Sequence, residues 1–190
     1  MVSRDAGASR RALFGAAGSA LAAVGGLSLA GCGSATARKV APPPPAVAAR
    51  DIELLAAALE LERRTVAAYV AGMPLLSRPL RRVARQYLSE ELEHTGELIS
   101  LTRSVGGHAT PRADSYRLGH PTEPAGVLAL LHELESAQLA TYLRIIPQLS
   151  PGRVRAAAST ILTVDAQHVA LLRLQQGQDP VPSAFVTGAE

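Results

Sequence analysis

The sequence predicts an all-α fold, a four-helix bundle made of two antiparallel hairpins joined by one long crossover. Three observations predict it. From residue 51 onward the chain is rich in Ala, Leu, Arg and Glu, and its apolar residues recur at helical rather than alternating spacing. The segment LERRTVAAYVAGMPLLS (61–77) returns in register as LESAQLATYLRIIPQLS (134–150). Two copies mark a duplicated half-domain and not a solenoid, which needs at least three units. Finally, helix-breaking residues divide the region into four stretches with two short joints and one long one.

The elements follow from their start and stop signals. The first helix is expected over residues 51–72, ended by Pro74. The second runs over 79–105, capped by Ser77 and stopped by Gly106-Gly107. The third spans 124–146 with Thr122 as its cap. The fourth takes Ser150 as cap and Pro151 as its first residue, and ends before Gly177; residues 177–190 then form a loose tail. Short turns make each helix pair an antiparallel hairpin. The joint between the pairs, GGHATPRADSYRLGHPTE (106–123), is long for a bundle. A helix of this length spans roughly 35–40 Å and an extended linker of this size reaches about 60 Å, so the joint can cross the bundle from end to end.

The first fifty residues read as address and tether. Residues 1–31 have the basic start, Gly/Ala-rich apolar run and small-residue ending of a secretory signal peptide. Ser9-Arg10-Arg11 resembles the twin-arginine export signal, and LAGC, ending in Cys32, resembles the lipobox of bacterial lipoproteins. That resemblance implies lipidation of Cys32, a membrane anchor and an extracytoplasmic, membrane-held location. Residues 32–50 include the run Pro42 to Pro45, which favours extended polyproline II and makes a semi-rigid spacer. Residues 51–176 are the bundle. Without the first 31 residues, sixteen of the 19 basic and fifteen of the 16 acidic side chains remain. This near-neutral balance gives no electrostatic case for a nucleic-acid partner. Cys32 is the only cysteine, so no disulfide within the chain is available and the fold must stand on its core.

Polar residues interrupt the apolar stripes at matched positions. The stripe of the first helix reads Leu55, Leu59, Glu62, Val66, Tyr69, Met73; that of the third reads Leu128, Leu131, Glu135, Leu139, Tyr142, Ile146. On the second and fourth helices, Glu91 with His94 and Asp165 with His168 face inward as acid-x-x-His pairs. Each ionised carboxylate moved into an apolar core costs at least several kcal/mol, against a total stability of about 5–15 kcal/mol. Four of them need cations. Two divalent ions balance four carboxylates, and two neutral imidazoles complete a nitrogen–oxygen donor set suited to two iron or two manganese ions.

With these residues in place, the chain resembles the ferritin-like di-metal carboxylate superfamily, which includes rubrerythrins, bacterioferritins and manganese catalases; the resemblance covers about residues 51–176. It implies that Glu62 and Glu135 bind metal terminally or bridge, that Glu91 and Asp165 supply bridging carboxylates, and that His94 and His168 each ligate one ion. Asp165 stands where the family usually has glutamate, and its shorter arm leaves its bridging role open. Tyr69 and Tyr142 lie two turns beyond the repeated glutamates and are expected either to orient a ligand carboxylate on the opposite hairpin, to donate electrons or to fill the core. His132, one turn before Glu135, is expected to be partly exposed, and Glu60, Glu90, Glu93 and Glu97 to form a solvated face. The resemblance implies an oxidoreductase acting on a small oxidant, peroxide or dioxygen, with an electron donor the sequence does not name and a homodimer as an open option. The competing reading is a metal-binding or scaffold lipoprotein without turnover.

Overall fold

The computed structural model describes residues 44–190, so the expected signal peptide, Cys32 and most of the expected tether lie outside the described residues. Helix α1 spans Pro45–Gly72, α2 Arg78–Ser104, α3 Pro124–Ile145 and α4 Gly152–Gln175. Short 3-10 turns, Met73–Leu75 and Ile146–Gln148, close α1 and α3. Each carries the proline of the repeat, which cannot continue the helical bonding.

Helix α1 begins six residues earlier than the sequence suggests. Pro44 is extended and Pro45 takes the first helical position, where a fixed φ and a missing N–H carry no penalty; the helix-favouring run Ala46 to Ala49 then continues it. The expected caps fare unevenly. Ser77 occupies the cap position of α2, yet its hydroxyl makes no capping bond. Glu123 replaces Thr122 at the head of α3, and Pro151 replaces Ser150 at the head of α4. No helix among the described residues is long and apolar enough to cross a membrane.

Chain direction follows from contacts at the two ends. At one end the Ser150 amide donates to Asp51 Oδ1 (3.0 Å) and Arg153 to the Ser104 carbonyl (2.9 Å). At the other, Gly72 lies so close to α3 that an added Cβ would come within 2.5 Å of Val127 Cγ1. Both α2 and α3 therefore run against α1, and α4 runs with it. The crossover travels the whole length: Ala109 packs into the core near the start of α1 and Leu118 into the core near its end. Arg63 and Arg64, on the outer side of α1, hold it by donating to the carbonyls of Thr110 (2.8 Å) and Arg117 (3.1 Å).

The core has two apolar clusters, one around Leu55, Leu59, Leu98 and Ile145 and the other around Ala68, Leu76, Leu131 and Leu134. A polar layer separates them. Helices α1 and α3 pack directly on each other, whereas α2 and α4 meet at few points and leave a cleft between them. The C-terminal tail is less loose than expected. Arg173 donates to the carbonyls of Asp179 (2.7 Å) and Glu190 (3.1 Å), and Gly188 lies against the α3 backbone at Ser136 and Ala140.

Candidate metal centre

The polar layer is where the six expected residues meet. Glu62, Glu91, Glu135, Asp165, His94 and His168 are all buried, and the four carboxylates are completely so. Their donor atoms form two groups, each with all atoms within 4.8 Å of one another: Glu91, Glu135, Asp165 and His168 in one, Glu62, His94 and Asp165 in the other. Asp165 belongs to both. On α2 and α4 the acid and the histidine are three residues apart, less than one turn, and so share the inward face.

Distances on the His168 side are those of donors around a common centre, and those on the His94 side are a few tenths of an ångström longer. His94 Nδ1 lies 3.7 Å from Glu62 Oε2, 3.6 Å from Glu91 Oε1 and 3.4 Å from Asp165 Oδ1. These are too long for hydrogen bonds. Donors that each sit about 2.1 Å from one ion stand roughly 3.0–3.4 Å apart across an octahedral or tetrahedral edge. His168 Nδ1 meets that range, at 3.3 Å from both Glu91 Oε1 and Glu135 Oε1. Five inward atoms have no hydrogen-bond partner: Glu62 Oε2, Glu91 Oε1, His94 Nδ1 and both oxygens of Asp165. Hard carboxylate oxygens with two imidazole nitrogens fit iron or manganese, so the residues present match the group that the sequence implied.

Around this layer stand residues that hold the donors in place. Tyr142 donates from its hydroxyl to Glu62 Oε1 and Tyr69 to Glu135 Oε1, both at 2.6 Å. Each tyrosine thus orients the glutamate of the other hairpin, one of the roles considered for the pair. Gln138 donates to Glu91 Oε2 (2.8 Å) and accepts from the Thr65 hydroxyl (3.0 Å). Glu90 is corrected by the structure. It does not belong to a purely solvated face: its Oε2 accepts from His168 Nε2 at 2.7 Å, leaving Nδ1 turned inward. Tyr87 stacks on the His168 ring (centroids 4.0 Å apart) and meets Tyr69 edge-on. An apolar cavity of about 100 Å³ abuts Tyr69 and Tyr87. His132 stays outside, half-buried beside Ser136.

Thr65 and Gln138 were legible in principle. Each lies three residues after the repeated glutamate, so both copies place a polar residue at one register position. Glu90 had no such signal, because its partner is on another helix.

Electrostatics show how the protein balances the layer with protons. Burial alone would lower the imidazoles, but neighbouring carboxylates override it; Glu62 and Glu91 push His94 up to about 10, while Glu135 and Glu91 push His168 up to about 11. Burial raises the carboxyls of Glu62 and Asp165 well above the ordinary range, with Glu91 adding to both. Glu135 is pushed up to about 7 by burial and by Glu91. Of the four carboxylates only Glu91 is held well below the usual range: burial is outweighed by the two imidazoles that face it and by the Gln138 amide that donates to it. One firmly ionised carboxylate between two imidazolium rings is what a polar core adopts when charge compensation comes from protons.

Comparison with known proteins places this fold. Among solved structures, the fold is similar to a conserved hypothetical protein from Mycobacterium tuberculosis, at 21% identity over 73% of this chain and 99% of that one, with a TM-score of 0.66. It is also similar to ferritin-like, diiron-carboxylate proteins from Bacillus anthracis strain Ames, at 16% identity over 68% and 96%, with a TM-score of 0.60. No curated protein sequence matches the chain. The profile of the ferritin-like domain matches residues 50–178, which take in all of the four-helix region except the first five residues of α1, and the chain belongs to the ferritin-like domain family.

Proposed function

We propose that this chain is a di-iron or di-manganese oxidoreductase that acts on peroxide or dioxygen at the outer face of the membrane, held there by a lipid on Cys32. The observation that carries the metal reading is the convergence of five unpartnered, buried donor atoms on four residues. Buried polar atoms are nearly always paired, and five unpaired in one layer support a ligand set. Glu91, Glu135, Asp165 and His168 would hold one ion, and Glu62, His94 and Asp165 the other. The diiron-carboxylate relatives support iron, and the LAGC motif before the proline run supports the anchor.

Bound metal supplies redox equivalents and Lewis acidity at the polar layer. The protein's own groups prepare that layer. Tyr69 and Tyr142 restrain Glu135 and Glu62 through one oxygen each; the other oxygen of Glu62 has no partner, and that of Glu135 faces His168 Nδ1 at 3.4 Å. Glu90 fixes His168 with Nδ1 inward. The leucine clusters on both sides exclude bulk water, and the apolar cavity beside Tyr69 and Tyr87 suits a small uncharged oxidant better than a charged substrate.

Elemental analysis of the full-length chain, purified with iron or manganese supplied, tests the reading beside a Glu62→Ala/Glu135→Ala control. About two ions per chain, lost in the control, followed by peroxide or dioxygen consumption, are the expected results. A folded wild-type protein without metal would leave the scaffold reading; bound metal without turnover would leave a metal-handling lipoprotein.

A further inference from the structure

The two halves of the polar layer are related by the internal repeat, yet they are built differently. On α2, Glu90 stands one residue before Glu91 and four before His94. On α4, the same place before Asp165 and His168 is taken by Val164. Glu90 reaches across to His168 Nε2. Val164 has no acceptor to offer His94, and none of the described residues hydrogen-bonds His94 Nε2. Instead His94 lines the cleft between α2 and α4, about 500 Å³ in volume, whose wall includes Val164. Ligand number differs too. Four residues converge on the His168 side and three on the His94 side.

From these differences we infer that the two metal positions are inequivalent: the His168 position is assembled in advance and fills first, and the His94 position fills second and exchanges. The inference rests on the metal reading proposed above. Its physical basis is tautomer control. A neutral imidazole offers a lone pair at Nδ1 only while its proton sits on Nε2. Glu90 accepts that proton's hydrogen bond and so keeps it on Nε2, which leaves Nδ1 as the nitrogen of His168 that gives up its proton to an ion, with the ring angle fixed by Tyr87 stacked on it. His94 must select the tautomer and ring angle as the ion binds. Carboxylate positions reinforce the difference. The Thr65–Gln138–Glu91 chain fixes Glu91, which belongs to the four-residue group, whereas Asp165, the shared carboxylate, has both oxygens unpartnered and can serve a second ion after the first is seated. Glu90 is thus a positioning residue, and Val164 marks where its counterpart is lacking.

The probe is Mn²⁺ added to the metal-free, full-length protein and followed by electron paramagnetic resonance, which separates free ions, isolated bound ions and magnetically coupled pairs. Isolated bound Mn²⁺ is expected up to one equivalent, with the pair signal growing only between one and two. Loss of a residue that orients a metal-bound histidine weakens binding by about 10–100-fold, so Glu90→Ala should weaken the first equivalent by that factor and Glu90→Gln, which keeps an acceptor, by less. Val164→Glu gives His94 an acceptor and should tighten the second equivalent alone. That variant carries the test if Glu90→Ala does not fold, as judged by circular dichroism. A pair signal rising from the first addition, or Glu90→Ala weakening both equivalents alike, overturns the inequivalence and leaves the metal reading standing. Absence of any bound Mn²⁺ in folded wild type overturns both.

Discussion

Replacing Glu135 by glutamine should make the metal-free protein more stable, and only at the pH where the carboxylate is a burden. Glu135 is wholly buried and its carboxyl is pushed from 4.5 to about 7. At about 1.4 kcal/mol per pH unit, holding it ionised above pH 7 costs the fold about 3 kcal/mol relative to the unfolded chain, where it ionises freely. The sign follows from the direction of the shift. Below pH 4.5 the group is protonated in both states and costs nothing; the penalty grows between pH 4.5 and 7 and is complete above 7. Glutamine keeps an oxygen for the Tyr69 hydroxyl, and the attraction of the charge to His168 is already contained in the net shift, so the whole of this cost is relieved. A gain of about 3 kcal/mol corresponds to a melting point higher by roughly 6–12 °C in a domain of this size. Far-UV circular dichroism melts in the presence of a chelator, at pH 5 and pH 8, measure it. The rise should be present at pH 8 and nearly absent at pH 5. With metal supplied the order should invert, because the glutamine removes a ligand and with it the stabilisation that binding gives. A variant that melts lower than wild type at both pH values, without metal, would refute the claim that this carboxylate is kept for binding at the expense of stability.

Asp165 belongs to both donor groups, so Asp165→Ala should reduce bound metal at both positions and bring the content from about two ions per chain to below one, as elemental analysis would show. Tyr142→Phe leaves Glu62 Oε1 without its donor and should lower the stability of the metal-free protein by about 1–3 kcal/mol, read from denaturant unfolding. Because His94 and His168 are pushed up to about 10 and 11, both are protonated at neutral pH and must each release a proton to ligate. Apparent metal affinity should therefore rise about tenfold per pH unit for each proton displaced between pH 6 and 8, measured by competition with a chromophoric chelator.

Helix positions and the six-residue layer were legible because both depend on period and repeat, which a single chain displays. Glu62 and Glu135 stand where leucine is expected, and the acid-x-x-His pairs fall on the inward stripe; burial of all six follows from the same 3.6-residue period that forms the helices. What escaped depends on contacts between helices. Glu90 lies off its own stripe, and only the packing of α4 brings His168 within reach. Thr65 took the buried position given to Val66, since a helix buries a wider face than one row of residues. The start of α1 was misjudged because four prolines argue for extended chain, while the last of them is also a favoured first helical residue. The caps of α2, α3 and α4 were read from residue type alone, and in none does a side chain bond the helix end.

The reciprocal tyrosine bonds have a consequence for how such a molecule could be assembled. Tyr69 serves Glu135 while Tyr142 serves Glu62, the relation of residue i to j and j to i that defines an isologous contact about a two-fold axis. One hairpin alone would leave its glutamate without a phenol and its tyrosine without an acceptor, yet two copies of a single hairpin would satisfy each other. The crossover is therefore a covalent link between two units that are already self-complementary. Once it joins them, each half is free to diverge, and the change from an acceptor at Glu90 to an aliphatic side chain at Val164 is a difference that a symmetric pair of identical hairpins could not have held.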